Sequence, residues 1–276
     1  MRYKQPHAAS ATGAKFQEKP LARPTKFRAA DQVALAAAAG LVLAFIVLDR
    51  QRLAANLGPL WQALGITAAF TAVAWLAGGV NWTGAAAGAA ISSVFAARDL
   101  RLFWILLIVF ATTLLATRIG RERKGSFQGR SASQIMANLG LAGLLIALAT
   151  GSWTAPALAA LAEAACDTCS SEIGTAFPGM TVLITTWKRV PAGVDGGISL
   201  IGTLAGLAGA AIVVLCAVLL GLVPYSYALA ALASAFGGML VDSFLGAVAE
   251  RRGWLNNDAV NMLGTAAAIA ITWLIL

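Results

Sequence analysis

The sequence predicts an all-α fold, a polytopic integral membrane helical bundle of about nine transmembrane helices, with eight as the alternative. Three observations predict it. Of 276 residues 59% are hydrophobic and only 12% charged, which leaves too little polar surface for a soluble domain of this size. After Asp31, apolar stretches near the ~20-residue length needed to cross the hydrocarbon follow one another almost without pause. The basic residues gather in the short segments between these stretches, as the positive-inside rule requires of cytoplasmic loops.

Residues 1–30 stand apart. They are rich in Lys, Arg, Pro and Ala, with Glu18 the only acid and no apolar run long enough for a signal peptide, so they read as a disordered cytoplasmic tail. The remainder, 31–276, reads as one membrane-embedded domain. Most of the +8 net charge comes from the tail and from Arg118 to Arg130, which points to anionic membrane lipid as a partner and away from nucleic acid.

Spans are expected at 32–48, 60–79, 82–97, 101–119, 132–150, 154–171, 197–221, 226–249 and 258–275. The third is the weakest. Its run Trp82-Thr83-Gly84-Ala85-Ala86-Ala87-Gly88 is small and mildly polar, suited either to a re-entrant segment or to a tightly packed helix. With nine crossings and a cytoplasmic N-terminus, the loops holding Arg121, Arg123, Lys124 and Arg130, then Lys188 and Arg189, then Arg251 and Arg252 all face the cytoplasm. Arg50, Arg52, Arg98 and Arg101 then fall outside, a minority violation. A bacterial-type cell membrane is the expected location.

The spans carry acids without basic partners of their own. Glu163, Asp167, Glu172 and Asp242, four of the chain's twelve acidic residues, lie in or at the ends of strongly apolar stretches that hold no Lys or Arg. A charged residue at the centre of a membrane helix costs roughly 2.5 to 3.5 kcal/mol on insertion scales, and such residues face a cavity or a bound ion. Glu163, Asp167 and Ser170 or Ser171 recur at helical spacing on one face, with Glu172 following. Carboxylates and hydroxyls are the ligands of hard cations such as Mg²⁺. A polar face that hydrogen-bonds a neighbouring helix is the simpler alternative.

Cys166 and Cys169 form a Cys-x-x-Cys pair. A redox site needs a βαβ context, zinc needs further ligands, and the only histidine is His7 in the tail, so the thiols are expected to pack as small apolar groups. A long loop follows, from Thr185 through Lys188, Arg189, Asp195, Gly196 and Gly197 to Ser199, with Gly202-Thr203 opening the next helix. Glycines and a helix N-terminus suit phosphate, and the two basic side chains add charge-assisted bonds, although no Walker A sequence is present. Asp242-Ser243 is flanked by Gly237-Gly238 and Gly246, which allows close approach. Asn256-Asn257-Asp258 either caps the last helix or opens a polar stripe with Asn261 and Thr265. Arg130, Gln134 and Asn138 form a similar stripe, read either as interhelical glue or as a phosphate site led by Arg130.

Together these blocks resemble a known family. Gly129-Arg130 with Gln134 and Asn138, Asp167-Thr168 with Ser171-Glu172-Ile173-Gly174, Pro191 to Ser199 with Gly202-Thr203, Asp242-Ser243 with Leu245-Gly246-Ala247, and Asn256 to Asn261 are similar in kind and order to the integral-membrane family called domain of unknown function 92. The family includes the transmembrane protein 19 group and phytyl-phosphate kinases, and the resemblance runs from about residue 35 to the C-terminus. It implies a CTP-dependent, Mg²⁺-dependent kinase that converts phytyl or geranylgeranyl monophosphate to the diphosphate. On that implication Asp167, Asp242 and Lys188 are catalytic, with Asp167, Glu172 and Asp242 holding the metal. Arg189, Asp195, Gly196, Gly197, Ser199 and Thr203 bind the nucleotide. Arg130, Gln134, Asn138, Ser171, Asn257, Asp258 and Asn261 bind the isoprenoid monophosphate. A distant similarity to CDP-lipid synthases keeps cytidylyl transfer open, and intramembrane acids keep an ion-coupled transporter open, although no inverted repeat is visible.

Overall fold

The computed structural model describes residues 29–55, 58–124, 128–148, 153–177 and 179–276. The expected tail lies outside the described residues except for Ala29 and Ala30, which open the first helix. In chain order the helices are α1 (Ala29–Leu48), α2 (Arg50–Ala55), α3 (Gly58–Leu76), α4 (Trp82–Arg98), α5 (Leu100–Lys124), α6 (Ala132–Leu148), α7 (Thr154–Ala176), α8 (Leu200–Leu219), α9 (Ala228–Val248) and α10 (Asn257–Ile275). A short antiparallel pair, β1 (Thr181–Leu183) and β2 (Gly197–Ser199), precedes α8. Apart from the six-residue α2, which was not expected, every long helix matches an expected span to within a few residues.

Among the described residues five helices are long and apolar enough to cross a membrane: α1, α5, α8, α9 and α10. The apolar parts of α3 and α6 are shorter, Leu60–Leu76 and Ala132–Leu148. The more polar α4 and α7 sit inside, α7 packing on α5, α6, α8, α9 and α10. Every residue of α7 from Pro156 to Cys166 is buried, because its Ala-rich surface lets neighbouring backbones approach. Gly202, Gly206 and Gly209 of α8 continue that seam. A Cβ at Gly206 would stand 2.7 Å from Cys166 O, and one at Gly209 2.8 Å from Cys169 Sγ. The two cysteines are therefore packing residues, free and buried, with Cys166 Sγ 3.5 Å from Met239 Sδ.

The weak third span is one continuous helix, Trp82–Arg98. Asn81 caps α4 by accepting from Gly84 N at 2.9 Å. Contacts at the helix ends show the long helices running alternately up and down. The starts of α4 and α6 meet where Ala132 N donates to Thr83 Oγ1 (3.1 Å), and those of α1 and α6 where Ser133 N donates to Asp31 Oδ1 (3.1 Å). The ends of α3 and α5 meet there too, Arg118 Nη2 donating to Ala77 O at 3.0 Å. At the opposite end, Arg98 donates to the last carbonyls of α6, Ile146 O (3.2 Å) and Ala147 O (3.3 Å), and Arg101 pairs with Asp99 at 2.7 Å and reaches Leu220 O. Those arginines answer helix C-termini, which accounts for basic residues at that end. The tryptophans gather near helix ends, Trp82 and Trp254 at one side of the bundle, Trp61, Trp153 and Trp273 at the other, as interfacial belts do.

Two local expectations need correction. The span expected to end at residue 171 continues through Ile173-Gly174, and α7 runs to Ala176. The glycine is there because a Cβ would stand 3.2 Å from the Gly202 Cα of α8. The segment expected as a loop before α8 is partly strand. Leu183 N donates to Lys188 O (2.9 Å), Val190 N to Thr181 O (3.0 Å) and Ile184 N to Gly196 O (3.0 Å), so it satisfies its own backbone groups.

Candidate functional site

Where α6, α8 and α10 begin and α7 and α9 end, the β1–β2 segment folds over a polar cavity of about 570 Å³. α7 delivers Asp167, Ser171 and Glu172 to it at helical spacing, and α9 delivers Asp242, Ser243 and Gly246, continued by Glu250 just beyond the helix. Asp242 lies beside Asp167, close enough for the two carboxylates to act on each other. The Asn261 amide, oriented by its neighbours, donates to Asp242 Oδ2 at 3.2 Å and to Asn257 O at 3.2 Å, and accepts from Asn138 Nδ2 at 3.1 Å. Asn138 also donates to Gln134 O at 2.9 Å. A continuous polar line therefore crosses the site from α6 through α10 and α9 to α7.

Glu163 lies one turn deeper, 1% exposed, in a niche of small residues. A Cβ at Gly264 would stand 2.7 Å from Glu163 Oε1 and 3.4 Å from Asp242 Oδ2, and one at Gly238 2.6 Å from Glu163 Cγ. Glu163 Oε1 has no hydrogen-bond partner among the described residues. The sequence already placed Glu163 on the Asp167 face. The structure adds that glycines on α9 and α10 make room for it.

Arg130 enters from the opposite wall. Its backbone is fixed by bonds of 3.0 Å from Asn81 N to Arg130 O and from Arg130 N to Gly79 O. Gly129 makes this possible at φ +79, where a Cβ would stand 2.5 Å from Val80 C, and Gly84 leaves room for the Arg130 carbonyl. The guanidinium donates to Thr117 Oγ1 at 3.3 Å. Burial pushes its pKa below the ordinary value, while the negative charge of Glu172 works in the other direction.

Most of the expected site residues line this one cavity: Arg130, Gln134, Asn138, Asp167, Ser171, Glu172, Asp195, Gly196, Gly197, Ser199, Asp242, Asn257 and Asn261. Lys188 and Arg189 do not. They are exposed on the β1–β2 segment, beside the turn in which Trp187 adopts φ 57. Thr203 lies outside the lining in the first turn of α8, and Asp258 lines a neighbouring polar cavity of about 210 Å³ with Asp31 and Asn81. Gly196 has a structural duty as well. At φ +74 its Cβ would stand 2.5 Å from Ala247 N and 2.6 Å from Ala247 Cα, so only glycine lets the segment dock on α9. Ser199 caps α8, its Oγ accepting from Gly202 N at 3.1 Å, and Asn256 caps α10, accepting from Ala259 N at 2.9 Å.

Sequence reasoning missed Glu250, although Asp242, Gly246 and Glu250 at i, i+4 and i+8 carried the signal. It also missed Thr168 and Thr175 on the α7 wall. The lining thus holds five carboxylates, Asp167, Glu172, Asp195, Asp242 and Glu250, against one guanidinium, Arg130. Among the described residues no group of three or more His, Cys, Asp or Glu side chains is set to hold one metal ion. The Asp167–Asp242 pair fits what Mg²⁺ takes from a protein, one or two carboxylates with phosphate and water completing the shell.

The family model of integral membrane protein DUF92 matches residues 65–269. An uncharacterized membrane protein of Methanocaldococcus jannaschii is 36% identical over 169 residues, 58% of this chain and 70% of the relative. One from Synechocystis is 31% identical over 195 residues, 64% of this chain and 76% of the relative. The chloroplastic protein VTE6 of Arabidopsis thaliana is 42% identical over 118 residues, which is 40% of this chain and 35% of VTE6. No solved structure matches the chain.

Proposed function

The chain belongs to the DUF92 family of integral membrane proteins, and from that premise we propose that it is a CTP- and Mg²⁺-dependent isoprenoid monophosphate kinase. Phytyl or geranylgeranyl monophosphate takes the terminal phosphoryl group of CTP, giving the lipid diphosphate and CDP. The observation that carries this reading is the charge of the cavity, five carboxylates against one guanidinium within a bundle of apolar helices. Such a lining repels phosphate unless divalent cations come with it. With Lys188 and Arg189 outside the lining, that demand on cations is greater than the sequence alone suggested.

In this mechanism Asp167 and Asp242 hold Mg²⁺, which when bound neutralises phosphate charge and aligns the triphosphate. Asn261 fixes the Asp242 carboxylate, and Asn138 fixes Asn261. Glu172 and Glu250 add negative charge to the same lining, and the Gly196-Gly197 backbone with Asp195 would form the wall on the nucleotide side. Arg130, Gln134 and Asn138 face the lipid phosphate. No general base is needed, since a phosphate monoester is already an anionic nucleophile and phosphoryl transfer rests on positioning and charge stabilisation. The site and the N-terminus lie on the cytoplasmic face, where nucleotide is available.

The test is CTP labelled at the α or the γ phosphate, given with geranylgeranyl monophosphate and Mg²⁺ to the protein in proteoliposomes. Label from the γ position in lipid diphosphate is the expected result. Label from the α position would make the protein a cytidylyltransferase, and no transfer from either would remove the enzyme reading.

A further inference from the structure

Beside the polar cavity lies a second, apolar space between α3, α4, α5, α6 and α7. Its walls include Phe70, Ile91, Leu106, Val109 and Phe110, with Gly88 on the α4 side. Phe70 stands edge-on to Phe110 at 5.3 Å between ring centroids. The two spaces share Arg130, Gln134, Asn138 and Thr168 in their linings, so the apolar groove borders the cavity where the guanidinium sits. Cation below and hydrocarbon above describe one kind of molecule, a phosphate monoester of an apolar chain.

The groove is small, about 70 Å³. A groove of that size takes the phosphate-proximal end of an apolar chain and not its length. Resting on the kinase reading, we propose that this groove seats the phosphate-proximal isoprene unit of the lipid substrate, with the phosphate at Arg130 and the remaining chain among membrane lipids. The site then reads the branched first unit and leaves chain length unread.

Gly88 gives a clean perturbation. A Cβ there meets nothing within 4 Å, so Leu enters open groove and raises helix propensity. Binding of geranyl and geranylgeranyl monophosphates to the full chain in nanodiscs is measured for wild type, Gly88→Leu and Ala85→Val, a gentler change in the same lining. Ala86→Leu, on the exposed side of α4, is the control. Gly88→Leu is expected to weaken both lipids by about tenfold or more, because the groove no longer buries the first unit. Ala85→Val weakens both by a smaller, equal factor, and Ala86→Leu leaves both unchanged. Should Gly88→Leu fail to fold, Ala85→Val decides.

Wild-type affinity for both lipids in Gly88→Leu and Ala85→Val overturns the groove, as does equal loss in Ala86→Leu. Displacement of geranylgeranyl monophosphate by equimolar dioleoyl phosphatidic acid also overturns it, since an ordinary lipid would then be the occupant. Groove and kinase fail separately. Expected binding without γ-phosphate transfer leaves the groove and removes the kinase, and transfer unaffected by either groove variant does the reverse.

Discussion

Asp167→Asn is expected to make the ligand-free protein more stable while abolishing turnover. Two adjacent carboxylates repel by about 4 kcal/mol at ~4 Å and an effective dielectric of ~20, and neighbouring donors such as the Asn261 amide remove much of this. A net gain of about 1–2 kcal/mol is left for replacing one of them by an amide that can donate to the other. At about 2–4 °C per kcal/mol for chains of this size, the apparent midpoint should rise by about 2–8 °C in chelator. Mg²⁺ with CTP should raise the wild-type midpoint and leave the variant unmoved, because the stabilisation follows binding to the folded state. The assay is thermal unfolding in detergent with chelator, then with Mg²⁺ and CTP. A variant less stable than wild type in chelator would refute the repulsion argument. A variant that turns over at near wild-type rate would refute the role of Asp167 in holding the metal.

Three further changes test the scaffold. Gly196→Ala forces a left-handed alanine, about 1–2 kcal/mol, and presses its Cβ onto the α9 backbone, about 1–3 kcal/mol; the β1–β2 segment should become sensitive to limited proteolysis and turnover should fall. Arg98→Ala removes bonds to Ile146 O and Ala147 O and the 3.5 Å pairing with Asp49, so stability should drop by about 2–4 kcal/mol while activity per folded molecule holds, with Arg98→Lys intermediate. The double change of Cys166 and Cys169 to Ala should leave turnover intact and indifferent to reductant, and a redox-dependent rate in the wild type would contradict the packing role.

The bundle was legible because membrane helices announce themselves locally. Length, apolarity and capping residues such as Asn81 and Asn256 fix each helix within its own stretch. The site was legible in part for the same reason: Asp167 with Ser171, and Asp242 with Gly246, share helix faces. What escaped was tertiary. Nothing in the local sequence says that Lys188 and Arg189 turn away from the cavity, because their placement is fixed by pairing of residues 181–183 with both 188–190 and 197–199. Nor does it say that Arg130 comes within range of the Glu172 charge, since the two are far apart in the chain and meet where α7 packs on α6. Glu250 was a different failure. Its spacing from Asp242 was visible, but it lay beyond the apolar stretch in which acids drew notice.

The glycines alter what the cavity is. Gly-Gly before α8 read as a phosphate cradle, yet Gly196 is required by Ala247 and Gly129 by Val80, so both serve backbone crossings that hold the walls in place. With those glycines committed to packing and the nearby basic pair exposed, the nucleotide side of the cavity offers phosphate little positive charge of its own. Among the described lining residues Arg130 is the one cation, and it feels the negative charge of Glu172. On the kinase reading a lipid phosphate entering at Arg130 would compete with Glu172, whereas a cation entering between Asp167 and Asp242 would be attracted by both carboxylates. If the protein is the proposed kinase, attraction at one site and competition at the other would order the binding: cation with nucleotide first, lipid phosphate second, once the bound charge has reduced the hold of the carboxylates on Arg130.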